Sequence, residues 1–407
     1  MISDVSRSKA KIDAVLIILV AAMSVFGIVA VTVASFTPGS NPDISFLNHV
    51  TESSYAMRQC LFVFIVAPLV VGVIMNIPYD LLRRRAELLY WAGVLLLVFV
   101  TVVNRATGVK AWLDVFDYTI QPSEFAKLSL ILLLAKQFAR ESRPLSDLRS
   151  MLRFGLTLAI PCVVIQAQGE TGSMLVILFM VFIMMYFANC DKKLLISLIA
   201  VGALLILSLY GILKMTNSSD YRLARITGFL DPENYASSDA YQQEQSKMTI
   251  GSGGLTGIGM FVNGSMSQLN YVPADWTDFI FSTIGEAWGF VGCVGVLLMY
   301  LLILLRLLYL AWYTRDRFGR LIISGVLGML LFHVLENIAM TLGLMPITGI
   351  PLPFLSYGGS NMVTNMGGIG LVLNAVRNRS LSDSVSTPQT YYNPYHRFNR
   401  RFKTRNG

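Results

Sequence analysis

Long uncharged runs recur along this chain, and they leave few options for its fold. A bilayer core takes about 20 apolar residues per helix, and ten segments approach that length, near 14–36, 59–78, 88–104, 120–138, 153–168, 171–190, 194–213, 278–305, 321–345 and 354–376. Hydrocarbon offers the backbone no partners, so each run must be helical. The fourth run is the weakest, with only LSLILLLA between Glu124/Lys127 and Lys136, and it is included because the chain must return to the correct side. Composition excludes a soluble domain: 54% of the 407 residues are hydrophobic and 14% charged, with mean hydropathy +0.60. The expected fold is an all-α integral membrane protein of ten transmembrane helices.

The net charge of +8 does not point to nucleic acid, because the basic residues fall in short clusters between the apolar runs. Arg7/Lys9/Lys11, Arg83–Arg84–Arg85, Arg140/Arg143/Arg149/Arg153, Lys192–Lys193 and Arg315/Arg317/Arg320 all occupy one alternating set of loops. That set is assigned to the cytoplasm, which puts both termini inside and the loop at about 215–277, between helices 7 and 8, outside. This outer loop holds six acids (Asp220, Asp231, Glu233, Asp239, Glu244, Asp275) against three bases (Arg222, Arg225, Lys247). The first run lacks a small-residue cleavage pattern and is expected to be retained as a span. Residues 1–377 are expected to form the membrane domain, and residues 378–407 a basic, disordered cytoplasmic tail. Cys60, Cys162, Cys190 and Cys293 have no metal-ligand spacing and imply no disulfide.

Between Tyr241 and Phe290 a polar, Gly-rich segment runs through Asp275 and Asp278 directly into the eighth apolar helix, which carries Glu286. Carboxylates at such a boundary are costly and are functional candidates. Glu286 stands eight residues beyond Asp278, about 12 Å deeper, and Glu336 falls at similar depth in the ninth run with His333 one turn on. Glu124 and Lys127 open the fourth run, and Glu170 the sixth. Most of these groups map to the outer half of the bilayer, which predicts one polar cavity open to the outside. Structural readings stand beside this one. Glu124 and Lys127 have the i, i+3 spacing of a helix ion pair; Asp275 and Asp278 could be helix-N-terminal acids; His333 could be a packed histidine; Glu286 and Glu336 could be paired structurally. GSGGLTGIG at 251–259 lacks the preceding strand and following lysine of a phosphate loop. Its glycines suit a tight turn or a close approach.

Five motifs occur together in order: IQPSEFAKL at 120–128, the DP…YQQEQS run from Asp231 to Ser246, IGSGGLTGIG at 250–259, VPADWTDFIFSTIGE at 272–286 and GLMPITGIPLPFLSYGGSN at 343–361. Together they resemble the SEDS family (shape, elongation, division and sporulation; the RodA/FtsW/SpoVE group), and the resemblance reaches to about residue 377. The PITGIPLPF form of the late motif leans toward the RodA-like, elongation branch. The resemblance implies a peptidoglycan glycosyltransferase that polymerises lipid II on the outer face of the bacterial cytoplasmic membrane. It also implies a class B penicillin-binding protein as partner, with other elongation or division machinery.

Carried over residue by residue, the family's essential aspartate falls on Asp278 as catalytic group and its following glutamate on Glu286. The QPSE…K motif falls on Gln121, Pro122, Ser123, Glu124 and Lys127, and the late SYGGS on Ser356, Tyr357, Gly358, Gly359 and Ser360. Of these, Glu124, Lys127, Glu286 and Ser356–Ser360, with Lys110, Glu170 and Asp275, form the expected substrate-binding set. The chain departs from the family pattern around this set. Ala274, Asp275 and Trp276 stand where relatives read Glu-x-His before the TDFIF; Gly169–Glu170 replaces Pro-Asp; Lys110–Ala111 stands where an arginine is usual; and Ala287 replaces a second glutamate. The implied mechanism is inverting transfer, with Asp278 as general base and Lys110, Lys127 and Arg105 facing the leaving diphosphate. No metal-ligand spacing demands a cofactor, and a divalent cation (Mg or Mn) stays an option. A flippase for lipid-linked precursors suits the same polar bundle, as does a scaffold that only activates its penicillin-binding protein.

Overall fold

The structure is a computed structural model that describes residues 12–36, 42, 44–103, 111–115, 118–141, 144–200, 229 and 238–385. It is a helical bundle: α1 (Ala14–Ala34), α2 (Phe46–Glu52), α3 (Ser54–Asn76), α4 (Tyr79–Val103), α5 (Pro122–Arg140), α6 (Leu148–Gln168), α7 (Thr171–Phe187), α8 (Ser238–Ser252), α9 (Ile280–Tyr313), α10 (Arg317–Thr341) and α11 (Gly359–Val385). A further helix is described over 192–200. The all-α expectation misses a short antiparallel hairpin, β1 (Leu113–Val115) with β2 (Tyr118–Ile120), paired Leu113 to Ile120. It delivers the chain directly to Gln121.

Six of these helices, α1, α3, α4, α6, α9 and α10, are long and apolar enough to cross a membrane. They coincide with the first, second, third, fifth, eighth and ninth expected spans. The fourth, sixth and tenth are helices of shorter or more polar character, α5, α7 and α11. The seventh is described only to residue 200. Arg7, Lys9, Lys11, Arg105, Lys110, residues 201–228 and the tail beyond residue 385 lie outside the described residues.

Helix α10 is the axis. Its apolar window is 78% buried, against 17% for α6, so α6 is peripheral. Around α10 pack α5, α7, α9 and α11. Lipid tails are as apolar as leucine, so close packing and interhelical hydrogen bonds hold such a bundle together. The Tyr300 hydroxyl donates to Pro353 O (2.6 Å) and the Tyr90 hydroxyl to Thr157 O (2.9 Å). Asn374 donates to both Ile74 O and Ile77 O (2.8 Å each), satisfying the open end of α3. The weakness of the fourth run is explained by burial of its charges: Lys136 pairs with Glu87 at 2.9 Å and Lys127 with Glu124 at 2.7 Å.

Several boundaries differ from expectation for local reasons. α4 begins at Tyr79, so Arg83–Arg85 lie on the helix itself, with Arg83 over the Phe318 ring at 5.8 Å. α3 contains a π turn, Phe62–Val66, in which Ala67 N–H reaches back five residues to Phe62 O. Pro68 follows directly, and a π turn accommodates a proline that has no N–H to give. The tenth run is not helical until Gly359. Pro351 and Pro353 cannot donate to a helix, and Phe354 has φ +67.

The expected outer loop is ordered where it is described, and α8 packs along α9 and α10. Its polar residues are consumed at the end of α10: Gln243 Nε2 donates to Met340 O (3.0 Å) and Met345 O (2.7 Å), and the Ser246 hydroxyl to Thr341 O (2.9 Å). The glycine-rich segment then runs against a break in α9 at Gly289 (φ 64, ψ −160). Ile258 N donates to Glu286 O and Gly259 N to Ala287 O; Phe290 N and Val291 N return to Gly254 O and Leu255 O. A Cβ on Gly253 would sit 1.9 Å from Gly285 O, and one on Gly257 2.2 Å from Ala287 O. The close approach that these glycines permit is to the chain's own backbone.

Candidate active site

Asp278 stands two residues before α9, where three segments are tied together. Asn337 Nδ2 on α10 donates to Asp278 O (2.6 Å) and to Ile350 O (2.7 Å). The Ser356 hydroxyl donates to Thr277 O (2.6 Å) and accepts from Leu352 N (2.9 Å), while Tyr357 N donates to Trp276 O (2.9 Å). Gly349 has φ +72, and a Cβ there would lie 3.4 Å from Asp278 Oδ2. The carboxylate therefore rests beside a bare stretch of backbone.

A cavity of about 670 Å³ opens beside it. Its polar wall is made by Arg58, Gln121, Thr277, Asp278, Tyr357, Ser360 and Asn361, together with the backbone at Gly349, Gly358 and Gly359. Leu61, Phe62, Val66, Phe125 and Val363 make it apolar elsewhere. The Ser360 hydroxyl accepts from Gln121 N and donates to Thr119 O (3.1 Å each), fastening the start of α11 to the hairpin. An apolar slot with a few convergent polar groups is the usual form of a ligand site.

Five of the expected residues line this space: Asp278, Tyr357, Gly358, Gly359 and Ser360. Ser356 is buried behind them at 1% exposure. Glu170 lies one residue further back, bonded by Gln121 Nε2 and by the Ser123 hydroxyl (2.7 Å). Burial pushes its carboxyl above the ordinary range, and those two donors oppose the shift. Lys127 is wholly enclosed (0% exposed) and gives Nζ hydrogens to Glu124 Oε1 (2.7 Å) and His333 Nε2 (3.1 Å). His333 Nδ1 meets Met329 O at 2.7 Å, so Nδ1 carries the hydrogen and Nε2 is the acceptor. His333 is thus the neutral third member of a buried triad. Glu336 accepts from the Thr348 hydroxyl and lies within electrostatic reach of Asp278.

The single polar cavity expected from depth is therefore divided. Glu286 is not on its wall; its carboxylate accepts from Met266 N (2.7 Å), Ser267 N (2.9 Å) and the Ser267 hydroxyl (2.5 Å). Those bonds pin the 264–268 turn to α9. Asp275 is buried at 1% exposure, and no side chain donates to its carboxylate, which has only the nearby backbone N–H groups of Asp275 and Trp276 to oppose desolvation. Desolvation pushes its carboxyl well above the usual carboxylate range, helped by the charge of Glu286. Lys110 lies outside the described residues. Among the described residues, no three His, Cys, Asp or Glu side chains converge as metal ligands do.

Arg58 is the functional candidate that sequence reasoning missed. A signal existed: it is a lone arginine at the start of a span on the side assigned to the outside, where Lys and Arg are sparse.

A family model described as a cell cycle protein, the FtsW/RodA/SpoVE model, matches residues 13–381. The chain is 33% identical over 323 residues to peptidoglycan glycosyltransferase MrdB of Escherichia coli K12, covering 78% of this chain and 85% of that protein. A chain of a peptidoglycan synthase complex, described as coordinating polymerization and crosslinking, superposes with TM-score 0.72 at 31% identity, covering 90% of this chain and 98% of that one. Rod shape determining protein RodA of Thermus thermophilus superposes with TM-score 0.64 at 30% identity, over 90% of this chain and 97% of that one. The chain belongs to the FtsW/RodA/SpoVE family of cell cycle proteins.

Proposed function

We propose that this protein is a peptidoglycan glycosyltransferase, polymerising lipid II into glycan strands at the outer face of the bacterial cytoplasmic membrane for cell shape or division. The observation that carries the site assignment is the shared cavity of Asp278 and Arg58, with both polar wall and apolar slot. The acceptor sugar's hydroxyl must lose a proton as its oxygen bonds to the donor's anomeric carbon, and the bond from that carbon to undecaprenyl diphosphate breaks. Asp278 takes the proton, a role that contributes about 10²–10⁴-fold. The electron pair leaves on the diphosphate, whose growing negative charge is met by Arg58 on the same wall. Lys110, which lies outside the described residues, is retained from the sequence as a second cation. Lys127, enclosed by Glu124 and His333, is reassigned from diphosphate contact to holding α5 and α10 in place.

A class B penicillin-binding protein is the proposed partner. The solved chain from a complex coordinating polymerization and crosslinking supports this reading. Its transpeptidation would consume the strands made here.

Asp278→Asn is expected to leave folding and partner binding intact and to abolish polymer from purified lipid II in detergent. Detergent has no second compartment, so polymer made there by the wild type also separates this reading from a flippase. Polymer from Asp278→Asn at the wild-type rate would remove the base assignment. Growth of cells that carry only Asp278→Asn would favour the scaffold.

A further inference from the structure

Three aromatic side chains from distant parts of the sequence meet where one of them, Tyr357, lines the cavity. Tyr55 and Trp276 stack with centroids 4.8 Å apart and planes 21° apart, and Tyr357 meets Tyr55 edge-on at 5.2 Å. Each belongs to a segment that also supplies a polar group to the cavity wall. Arg58 follows Tyr55 by one turn of α3, Asp278 follows Trp276 by two residues, and Tyr357 is itself on the wall. None of the three is buried, and Tyr55 is 36% exposed.

We propose that Tyr55, Trp276 and Tyr357 form a stacking platform for a pyranose ring at the rim of the Asp278 cavity, with Trp276 setting this chain's affinity for its sugar substrate. This rests on the polymerase reading above. The face of an aromatic ring is negative and attracts the partly positive C–H bonds on the flat side of a pyranose. A ring cluster whose Tyr357 shares the cavity wall with Asp278 and Arg58 combines orientation with reaction, as carbohydrate recognition requires. The other role open to Tyr and Trp near a membrane surface is anchoring in the headgroup region. The wall position of Tyr357, and the bond from its N–H to Trp276 O, tie the cluster to the cavity instead.

The test uses the full-length protein with its penicillin-binding partner and lipid II in detergent. Trp276→Ala is expected to raise KM about fivefold while kcat falls less than threefold. Trp276→Phe should stay within twofold of wild type, and Trp276→Leu, apolar but without a ring face, should behave like alanine. Equal KM for Phe and Leu, or a loss confined to kcat, would overturn the platform. The same Leu/Phe pair decides the matter if the alanine protein does not fold. Binding of lipid II is measured in parallel in an Asp278→Asn background, where Trp276→Leu should weaken Kd about fivefold. Binding of undecaprenyl diphosphate, which has no sugar, should not change; an equal loss for that probe would mean a lipid anchor and would reject the proposal. A wild-type protein that makes no polymer, with the binding difference retained, would reject the polymerase reading and leave the platform standing.

Discussion

Lys127 shows how a buried charge is made tolerable residue by residue. Its ammonium has one anionic and one neutral acceptor and no exposed surface. Removing one partner of a buried pair costs more than the pair contributes, because the remaining charge has no water to return to. Glu124→Ala is therefore expected to destabilise by about 3–5 kcal/mol, read as a large fall in Tm in detergent. Glu124→Gln keeps an oxygen for Lys127 and should lose distinctly less. Equal Tm for the alanine variant and wild type would show that the triad is not structural. Asp275 and Glu286 illustrate the opposite outcomes for a carboxylate near a membrane helix. Glu286 collects three donors and becomes a clamp for a turn, whereas Asp275 is buried without a side-chain donor and is driven toward its protonated form.

At the scale of elements, the break in α9 couples the outer segment to the start of that helix. Four backbone bonds join residues 254–259 to 286–291, and they form only because no Cβ stands between the two stretches. Gly257→Ala would place a methyl 2.2 Å from Ala287 O at φ +83. Strain of this kind costs about 1–3 kcal/mol before the lost hydrogen bonds are counted. The expected result is a lower Tm together with reduced polymerisation, since Asp278 lies on the approach to the same helix. Gly155→Ala is the control: it sits within α6 with nothing inside 4 Å. Alanine there should be neutral or stabilise by up to about 1 kcal/mol. A Gly257→Ala protein as stable as Gly155→Ala would mean that the two stretches separate freely.

At the scale of the whole molecule, the two ends of the bundle are chemically different. Arg317 reaches Ala188 O, Lys136 reaches Glu87 and Arg84 O, and Tyr79 bonds Asp316, so the basic clusters of several helices gather at one end. Asp278, Gln121, Ser360 and Tyr357 gather around the cavity. The charge rule assigns the basic end to the cytoplasm. In a background without the native cysteines, Leu255→Cys, at a site 72% exposed, should react in intact cells with a membrane-impermeant maleimide. Lys193→Cys should react only after lysis. The reverse pattern would put Asp278 on the cytoplasmic side and remove the proposed substrate from its reach.

Hydropathy and basic clusters were enough to read a polytopic helical membrane protein, because crossing hydrocarbon imposes a length and a composition that local sequence must carry. The motifs put Asp278 and the Ser356–Ser360 segment forward as candidates, and Asp278 and Tyr357–Ser360 line one cavity. What they could not convey was which of the ionisable groups share a space. Glu124, Lys127, Asp275 and Glu286 look alike in the chain, as carboxylates or a cation beside apolar runs. Their differing fates depend on donors that arrive from elsewhere in the chain: His333 for Lys127, Ser267 for Glu286, and none for Asp275. The pairing of Arg58 with Asp278 in one cavity, and of Tyr55 with Trp276 in one stack, likewise joins residues about 220 apart in sequence. Local sequence sets whether a segment can live in lipid; only packing decides which distant side chains face one another, because that choice is made by the helices' relative rotation and not by any one helix alone.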